Sequence, residues 1–120
     1  MAYDNENIFA KILRGEIPCD KVYEDDHALA FRDINPQAPV HVLVIPKGAY
    51  INTDDFSAKA SDAEIAGYFR AVGYVARELG VVGAGFRTLA NNGSDARQEV
   101  PHFHTHILAG RDLGSMIKKI

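Results

Sequence analysis

Apolar side chains recur at helical spacing in two stretches of this chain. The first stretch predicts a short helix over residues 6–14, which Gly15 would end. The apolar face of that helix is formed by Ile8, Phe9, Ile12 and Leu13. The second stretch predicts a long helix that follows the capping-box sequence Ser61-Asp62-Ala63-Glu64 and ends at Gly80. Its apolar positions are Ile65, Phe69, Val72, Val75, Ala76 and Leu79.

Shorter apolar runs, bounded by turn residues, predict the strands. We expect strands at residues 21–24, 28–33, 41–45, 86–91 and 102–109. The run 41–45 is almost continuously apolar after its leading histidine, which is typical of a central strand buried on both faces. Residues 49–60 show no clear period and are predicted to be mostly loop. Because helices and strands come in separate groups, the order predicts an α+β fold with an antiparallel sheet.

Length and composition limit the possible classes of protein. The chain has 120 residues, 47% of them hydrophobic, which predicts one domain over residues 1–120, with a core at about 6–111 and a tail at 112–120. The formal net charge of −3 gives no basic surface for nucleic acid. Neither a secretion signal nor an apolar run long enough to cross a membrane is visible, so we expect a cytoplasmic protein without a membrane partner.

Three positions raise questions that the pattern leaves open. Cys19 is the only cysteine and excludes an internal disulfide, and we expect an inert, partly buried thiol. His27 lies beside the Asp25-Asp26 turn and is expected to be a solvated loop residue. Gly67 and Gly73 lie inside the long helix, where they either permit close packing of another element, such as a second subunit, or are simply tolerated.

The segment His102-Phe103-His104-Thr105-His106 carries the strongest chemical signal. Since strand side chains alternate between faces, the three imidazoles are expected to share one face. Histidine titrates near neutral pH, so a row of three suits nucleophilic attack, proton transfer or metal binding. The outer two Cα atoms would be roughly 13 Å apart, too far for all three rings to reach one metal ion without a further ligand such as His41. A catalytic row is therefore favoured over a metal site and over chance surface histidines.

Four ordered blocks of this sequence resemble the histidine triad superfamily, and in particular its Hint branch of nucleoside phosphoramidate hydrolases. The triad segment continues into Ile107-Leu108 and matches the His-x-His-x-His-x-x pattern. The segments Asn7–Ile12 with Gly15–Pro18, Ala30–His41, and Asn91–Asp95 with Gln98 resemble the branch's other signatures. The resemblance covers residues 6–111. It implies a five-stranded antiparallel sheet with one long and one short helix, extended across a homodimer.

The resemblance also implies the roles of individual residues. His104 would be the nucleophile that attacks phosphorus, and His106 would contact phosphate or protonate the departing amine. His102 and His41 would support their geometry. Asp33 would hold the ribose and Ile34 the purine, in an apolar slot completed by Phe9, Phe31 and Ile8. Phosphate and leaving-group contacts would come from Asn91 and Gln98, with backbone N–H groups near Glu99 and Val100.

Some positions depart from the family pattern. Glu99 stands where some members carry a serine that is thought to assist the leaving group. The C-terminal segment 113–120 lacks the Trp-Pro-Pro-Gly ending that influences substrate choice across the dimer in other members. Asn7 and Ala10 replace the Cys-x-x-Cys pair of a zinc-bearing subset, so we expect no metal.

The expected activity is hydrolysis of purine nucleoside 5′-phosphoramidates, with acyl-adenylates as a second substrate class, through a nucleotide bound covalently to His104. No cofactor is expected, and the products would be AMP or GMP. Two alternatives stay open. One is a nucleotide-binding or regulatory module with vestigial activity. The other is a dinucleoside polyphosphate hydrolase, which is disfavoured because that branch typically has a glutamine two residues after the second histidine, whereas here Thr105-His106 follows His104.

Overall fold

The computed structural model describes residues 2–120, so Met1 lies outside the described part of the predicted domain. Within these residues, three helices and five strands form one α+β fold. The helices are α1 (Ile8–Leu13), α2 (Thr53–Lys59) and α3 (Asp62–Glu78). The strands are β1 (Lys21–Glu24), β2 (Ala28–Arg32), β3 (Val40–Pro46), β4 (Arg87–Leu89) and β5 (Thr105–Ala109). Within residues 2–120 no helix is long and apolar enough to cross a membrane.

The five strands form one antiparallel sheet in the order β1-β2-β3-β5-β4. This confirms the predicted fold class and sheet. The central strand β3 is almost wholly buried, as its continuous apolar run predicts. It pairs with β5 in a register that sets His41 opposite Leu108 and Leu43 opposite His106. Two histidines distant in sequence are thereby brought onto neighbouring strands.

Helix α3 covers one face of the sheet and begins at the predicted capping box. The Ser61 side chain accepts a hydrogen bond from the Glu64 N–H, and the Glu64 carboxylate accepts one from the Ser61 N–H. Deeper in the helix, the Tyr68 hydroxyl donates to the Val44 carbonyl at 2.8 Å and lies 2.6 Å from the Thr105 hydroxyl. Because a carbonyl only accepts, Thr105 donates to Tyr68. This contact ties the helix to the strand residue between His104 and His106.

The prediction of a loop over residues 49–60 is wrong. Residues Thr53–Lys59 form α2, so the chain has two short helices rather than one. Asn52 caps this helix by accepting from the Asp55 N–H at 2.9 Å, and Phe56 is the residue it buries. A seven-residue helix with one buried side chain has too few turns to produce a visible period.

The last strand is shorter than its sequence pattern predicts. The ladder with β3 starts at Thr105 opposite Val44, so His102, Phe103 and His104 precede the strand. The Phe103 N–H donates to the Tyr50 carbonyl instead. β3 ends at Pro46, which has no N–H to give, and its carbonyl accepts from the His102 ring. Strands 28–33, 41–45 and 86–91 also differ by one or two residues at their ends.

His27 is partly buried, and not solvated as predicted. Its position explains why Gly67, one of the two glycines inside the long helix, is a glycine. A Cβ atom on Gly67 would overlap the His27 ring. Gly67 therefore lets the turn before β2 pack closely against α3 within one subunit. Cys19 is a partly buried free thiol, as predicted, and burial raises its pKa.

Candidate active site

His104 lies at the entrance to β5 and is only 7% exposed. Its Nδ1 atom lies 2.7 Å from the backbone carbonyl of His102. Since a carbonyl oxygen only accepts, Nδ1 must carry the proton, which leaves the Nε2 lone pair free. The Phe9 ring meets the imidazole edge-on at 5.0 Å between centroids. The structure thus holds this ring in the tautomer that a nucleophile requires.

His102 is fully buried and lines neither of the two cavities described below. Its Nε2 lies 3.0 Å from the Pro46 carbonyl, and its Nδ1 lies 2.6 Å from the hydroxyl of Tyr3. Nε2 therefore donates to Pro46, and Nδ1 of the neutral ring accepts from Tyr3. The sequence analysis did not identify Tyr3, because a tyrosine in a polar N-terminal segment carries no spacing signal that relates it to the triad.

His41 and His106 form a directional pair on neighbouring strands. The backbone N–H of Gln37 donates to His41 Nδ1 at 3.0 Å, so the proton of the neutral His41 ring lies on Nε2. His41 Nε2 is 2.8 Å from His106 Nδ1 and donates to it. The remaining proton of the neutral His106 ring must then be on Nε2. His106 lines both cavities described below, so it presents an N–H donor to a ligand.

Burial keeps the row uncharged at neutral pH. It is the largest cause that lowers the pKa of His102 to about 4, assisted by the nearby His104 ring. The pKa of His106 is also lowered to about 4, by burial and then by His104 and His41. Burial lowers the pKa of His104 and His41 as well, although nearby carboxylates act in the opposite direction. All four rings are therefore neutral near pH 7.

A largely apolar cavity of about 450 Å³ opens beside His104 and His106, within the size range of small-molecule sites. It brings together these predicted substrate-binding residues: Ile8, Phe9, Phe31, Asp33, Ile34, Glu99 and Val100. Phe9 and Phe31 also pack in a buried cluster, with ring centroids 5.5 Å apart. Ile34 is different, since 95% of it is exposed at the rim. An uncovered isoleucine at the rim of an apolar cavity offers a contact surface to a planar ligand.

A second, polar cavity of about 400 Å³ adjoins the first. Five residues line both cavities and mark the boundary between them: Asp33, Asn35, Glu99, His104 and His106. One oxygen of Asp33 accepts from the Asn35 N–H at 2.8 Å, and the other lies 3.4 Å from His41 Nε2. The imidazole row therefore stands where an apolar and a polar compartment meet.

The side-chain amides of Asn91 and Gln98, both predicted to contact substrate, line the polar cavity but differ in their surroundings. Asn91 lines it and is half-buried. The Gln98 amide is occupied by backbone groups: Nε2 donates to the carbonyls of Ile51 and Val100, and Oε1 accepts from the Gly93 N–H. Gln98 thus fastens the loop before the triad, and a ligand can reach only the remaining lone pair of its oxygen.

One group of side chains has atoms close enough to share a metal ion. Single ligand atoms of Asp33, His41 and His106 all lie within 4.8 Å of one another. Their geometry fits a hydrogen-bonded chain, since the two imidazole nitrogens are 2.8 Å apart and point at each other. An ion between them would displace that bond, so the donor set favours proton placement over metal binding. Asn7, at the position of the family's zinc cysteine, caps α1 by accepting from the Ala10 N–H.

Comparison with known proteins identifies the family of this chain. A HIT domain model matches residues 14–113. A HIT-like protein of 13.2 kDa from Azospirillum brasilense is 68% identical over 117 residues, 98% of this chain and 96% of that protein. The purine nucleoside phosphoramidase of Escherichia coli strain K12 is 43% identical over 112 residues, 93% of each chain.

Solved structures show the same relationship. A HIT family hydrolase from Clostridium thermocellum has a TM-score of 0.85 at 39% identity, covering 96% of this chain and 99% of that chain. A histidine triad protein from Clostridium difficile has a TM-score of 0.82 at 44% identity, covering 95% and 98%. Fold and site together define a histidine triad hydrolase. The chain belongs to the HIT domain family.

Proposed function

We propose that this protein hydrolyses the P–N bond of purine nucleoside 5′-phosphoramidates, and as a second substrate class the P–O bond to the acyl group of acyl-adenylates, without a metal ion. The observation that carries the proposal is the 2.7 Å hydrogen bond from His104 Nδ1 to the His102 carbonyl, which leaves Nε2 unprotonated beside a cavity of nucleoside size. The likeness to a purine nucleoside phosphoramidase at 43% identity supports the choice of substrate class.

The proposed reaction has two displacements at phosphorus. In the first, the Nε2 lone pair of His104 forms a bond to phosphorus while the bond to the leaving amine breaks. The leaving nitrogen takes a proton from His106 Nε2–H, while the His41 Nε2–H stays bonded to His106 Nδ1 at 2.8 Å. In the second, water attacks phosphorus and gives a proton back to His106 Nε2, the bond to His104 breaks, and the nucleoside monophosphate leaves.

Each substrate part has a matching surface in this proposal. The base lies between Ile34 and the apolar wall formed by Phe9 and Phe31, and Asp33 accepts hydrogen bonds from the ribose hydroxyls. The leaving amine extends into the polar cavity, which Asn91 and Glu99 line. The location of the row between the two cavities supports this division.

Rapid-quench trapping tests the covalent step directly. Labelled adenosine and guanosine phosphoramidates should leave nucleotide on His104 within a single turnover, and His104→Ala should form no adduct and lose at least about 10³-fold in kcat. His27→Ala is the matched control, because it removes a histidine outside both cavities and should retain the adduct.

The same experiment separates the alternatives. Wild-type protein that binds AMP by calorimetry, forms no adduct and leaves the phosphoramidate intact would be a nucleotide-binding module. Faster cleavage of a dinucleoside polyphosphate than of any phosphoramidate would identify the other hydrolase class. Stoichiometric zinc in the active protein, with activity lost to a chelator, would contradict the metal-free reaction.

We also propose that two copies associate through β4, so that the sheet continues across a homodimer. β4 lies at an edge of the sheet, and exposed apolar side chains, Val82 and Phe86, precede it. Light scattering during gel filtration should give a mass of twice 13.2 kDa, and a mass of 13.2 kDa at micromolar concentration would contradict the dimer.

Residues 6–111 are proposed as the domain core and residues 112–120 as a tail. The HIT domain match over 14–113 supports these limits. Deletion of residues 114–120 should leave the unfolding temperature nearly unchanged.

We further propose a cytoplasmic location, which fits a single free cysteine. Cell fractionation tests this location.

A further inference from the structure

Tyr3 closes the buried end of the histidine row. Its hydroxyl lies 2.6 Å from His102 Nδ1, and its ring meets the His102 ring nearly edge-on at 5.7 Å between centroids. Phe9 lies 6.3 Å from the same ring on another side. The N-terminal segment before α1 therefore contacts the buried end of the histidine row, although it lies outside the HIT domain match at 14–113.

The direction of the Tyr3 hydrogen bond follows from the other end of the His102 ring. Nε2 points at the Pro46 carbonyl, which only accepts, so Nε2 keeps its proton. The neutral ring then has a lone pair on Nδ1, and Tyr3 is the group that donates to it. Tyr3 and Pro46 together hold the His102 ring in one tautomer and one orientation.

The orientation of His102 matters because its own backbone carbonyl sets the tautomer of His104. The carbonyl accepts from His104 Nδ1–H at 2.7 Å. A segment of three residues lacks ladder bonds at this point, since the β5 ladder begins only at Thr105. Outside the ladder, the peptide group that carries this carbonyl is held by the bond from the Phe103 N–H to the Tyr50 carbonyl at 2.8 Å, and the side-chain contacts of His102 add a second anchor beside it.

We propose that Tyr3 is a positioning residue for the nucleophile: by fastening the His102 ring, it keeps the His102 carbonyl aimed at His104 Nδ1. The inference rests on the proposed role of His104. Tyr3, which lies outside the HIT domain match at 14–113, then belongs to the residues that set the geometry of the site. The N-terminal segment thereby has a role in positioning the nucleophile.

Tyr3→Phe tests the proposal, because it removes the hydroxyl and retains the ring that packs on His102. We expect kcat for adenosine phosphoramidate to fall about 3- to 10-fold, with KM unchanged. ¹⁵N NMR of the imidazoles gives a readout that needs no substrate. The His102 Nδ1 resonance should move toward that of an imine nitrogen without a hydrogen bond, and the His104 Nδ1–H proton should exchange faster with water.

Tyr23→Phe is the matched control, since it removes a hydroxyl that donates to Asp25 at 2.8 Å, away from the row. It should change neither kcat nor the imidazole spectrum. An unchanged kcat in folded Tyr3→Phe, or a lower kcat with unchanged His102 and His104 resonances, would overturn the positioning role. Failure of the wild type to cleave any phosphoramidate would instead refute the proposed function, and the NMR comparison would still decide whether Tyr3 fixes His102.

Discussion

At the scale of single residues, the site depends on which imidazole nitrogens carry protons. Two backbone groups decide this: the His102 carbonyl fixes His104, and the Gln37 N–H fixes His41 and through it His106. Burial adds to the effect, because it lowers the pKa of every ring in the row. The row can therefore supply a lone pair at one position and a proton at the next near pH 7.

Glu99 should discriminate between leaving groups by charge. Its carboxylate lies at the boundary of the two cavities, and its negative charge acts on His104. We predict that Glu99→Gln raises kcat/KM for a phosphoramidate with an anionic leaving amine about two- to fivefold relative to one with a cationic amine. A steady-state comparison of the two substrates measures this ratio. Asp26→Asn, which neutralises an exposed carboxylate outside both cavities, should leave the ratio unchanged, and an unchanged ratio in Glu99→Gln would refute the role.

At the scale of elements, the interior of α3 shows how a helix can require glycine. We predict that Gly67→Ala lowers the free energy of unfolding by about 1–3 kcal/mol, although alanine favours helix. The reason is the overlap with His27, which includes its Cβ atom at 2.9 Å, and a rotamer change cannot move that atom. Urea denaturation of the variant measures the change.

Gly73→Ala is the internal comparison for this prediction. The nearest atom to a Cβ at Gly73 is the end of the flexible Arg77 side chain, at 3.3 Å. This substitution should raise the free energy of unfolding by about 0.5–1 kcal/mol. Equal changes in the free energy of unfolding for Gly67→Ala and Gly73→Ala would show that the contact with His27 does not determine the effect of alanine at position 67.

At the scale of the whole molecule, the buried row should make the fold sensitive to mild acid. In the unfolded chain these histidines titrate near 6.5, whereas the pKa values of His102 and His106 in the fold are about 4. Below pH 6.5 the unfolded state binds more protons, so stability falls as the pH drops from about 6.5 to about 4. Thermal unfolding followed by circular dichroism should show a falling Tm across this window.

Carboxylates of lowered pKa do not explain a loss of stability between pH 6.5 and about 4.5. The pKa of Glu24, for example, is held at about 2 by its hydrogen bonds to Lys47 and Lys21, so its contribution is lost only below about pH 4.5. His106→Asn removes one of the two most depressed groups and should make the fall in Tm less steep. A Tm that is constant between pH 6.5 and 4.5 would contradict the neutral row.

The sequence predicted most of the architecture because the evidence was local. The capping box at Ser61, the stop at Gly80 and the apolar run of β3 each act within a few residues, and the structure contains all three. α2 escaped prediction because a single buried residue, Phe56, gives no period. His27 was misassigned because its packing partner, Gly67, lies forty residues away in the chain.

The sequence by itself determined that three histidines share one segment and that the chain resembles a known family. Only the tertiary structure decided which ring nitrogen carries the proton in His102, His41 and His106, because these tautomers are set by acceptors and donors that come from other elements: the Pro46 carbonyl, the Gln37 N–H and the Tyr3 hydroxyl. The sequence and the spacing of its residues show which side-chain types occur together in a segment. Which imidazole nitrogen carries the proton depends on the hydrogen-bond partner of each nitrogen. That partner is in place only when the sheet and the N-terminal segment have packed.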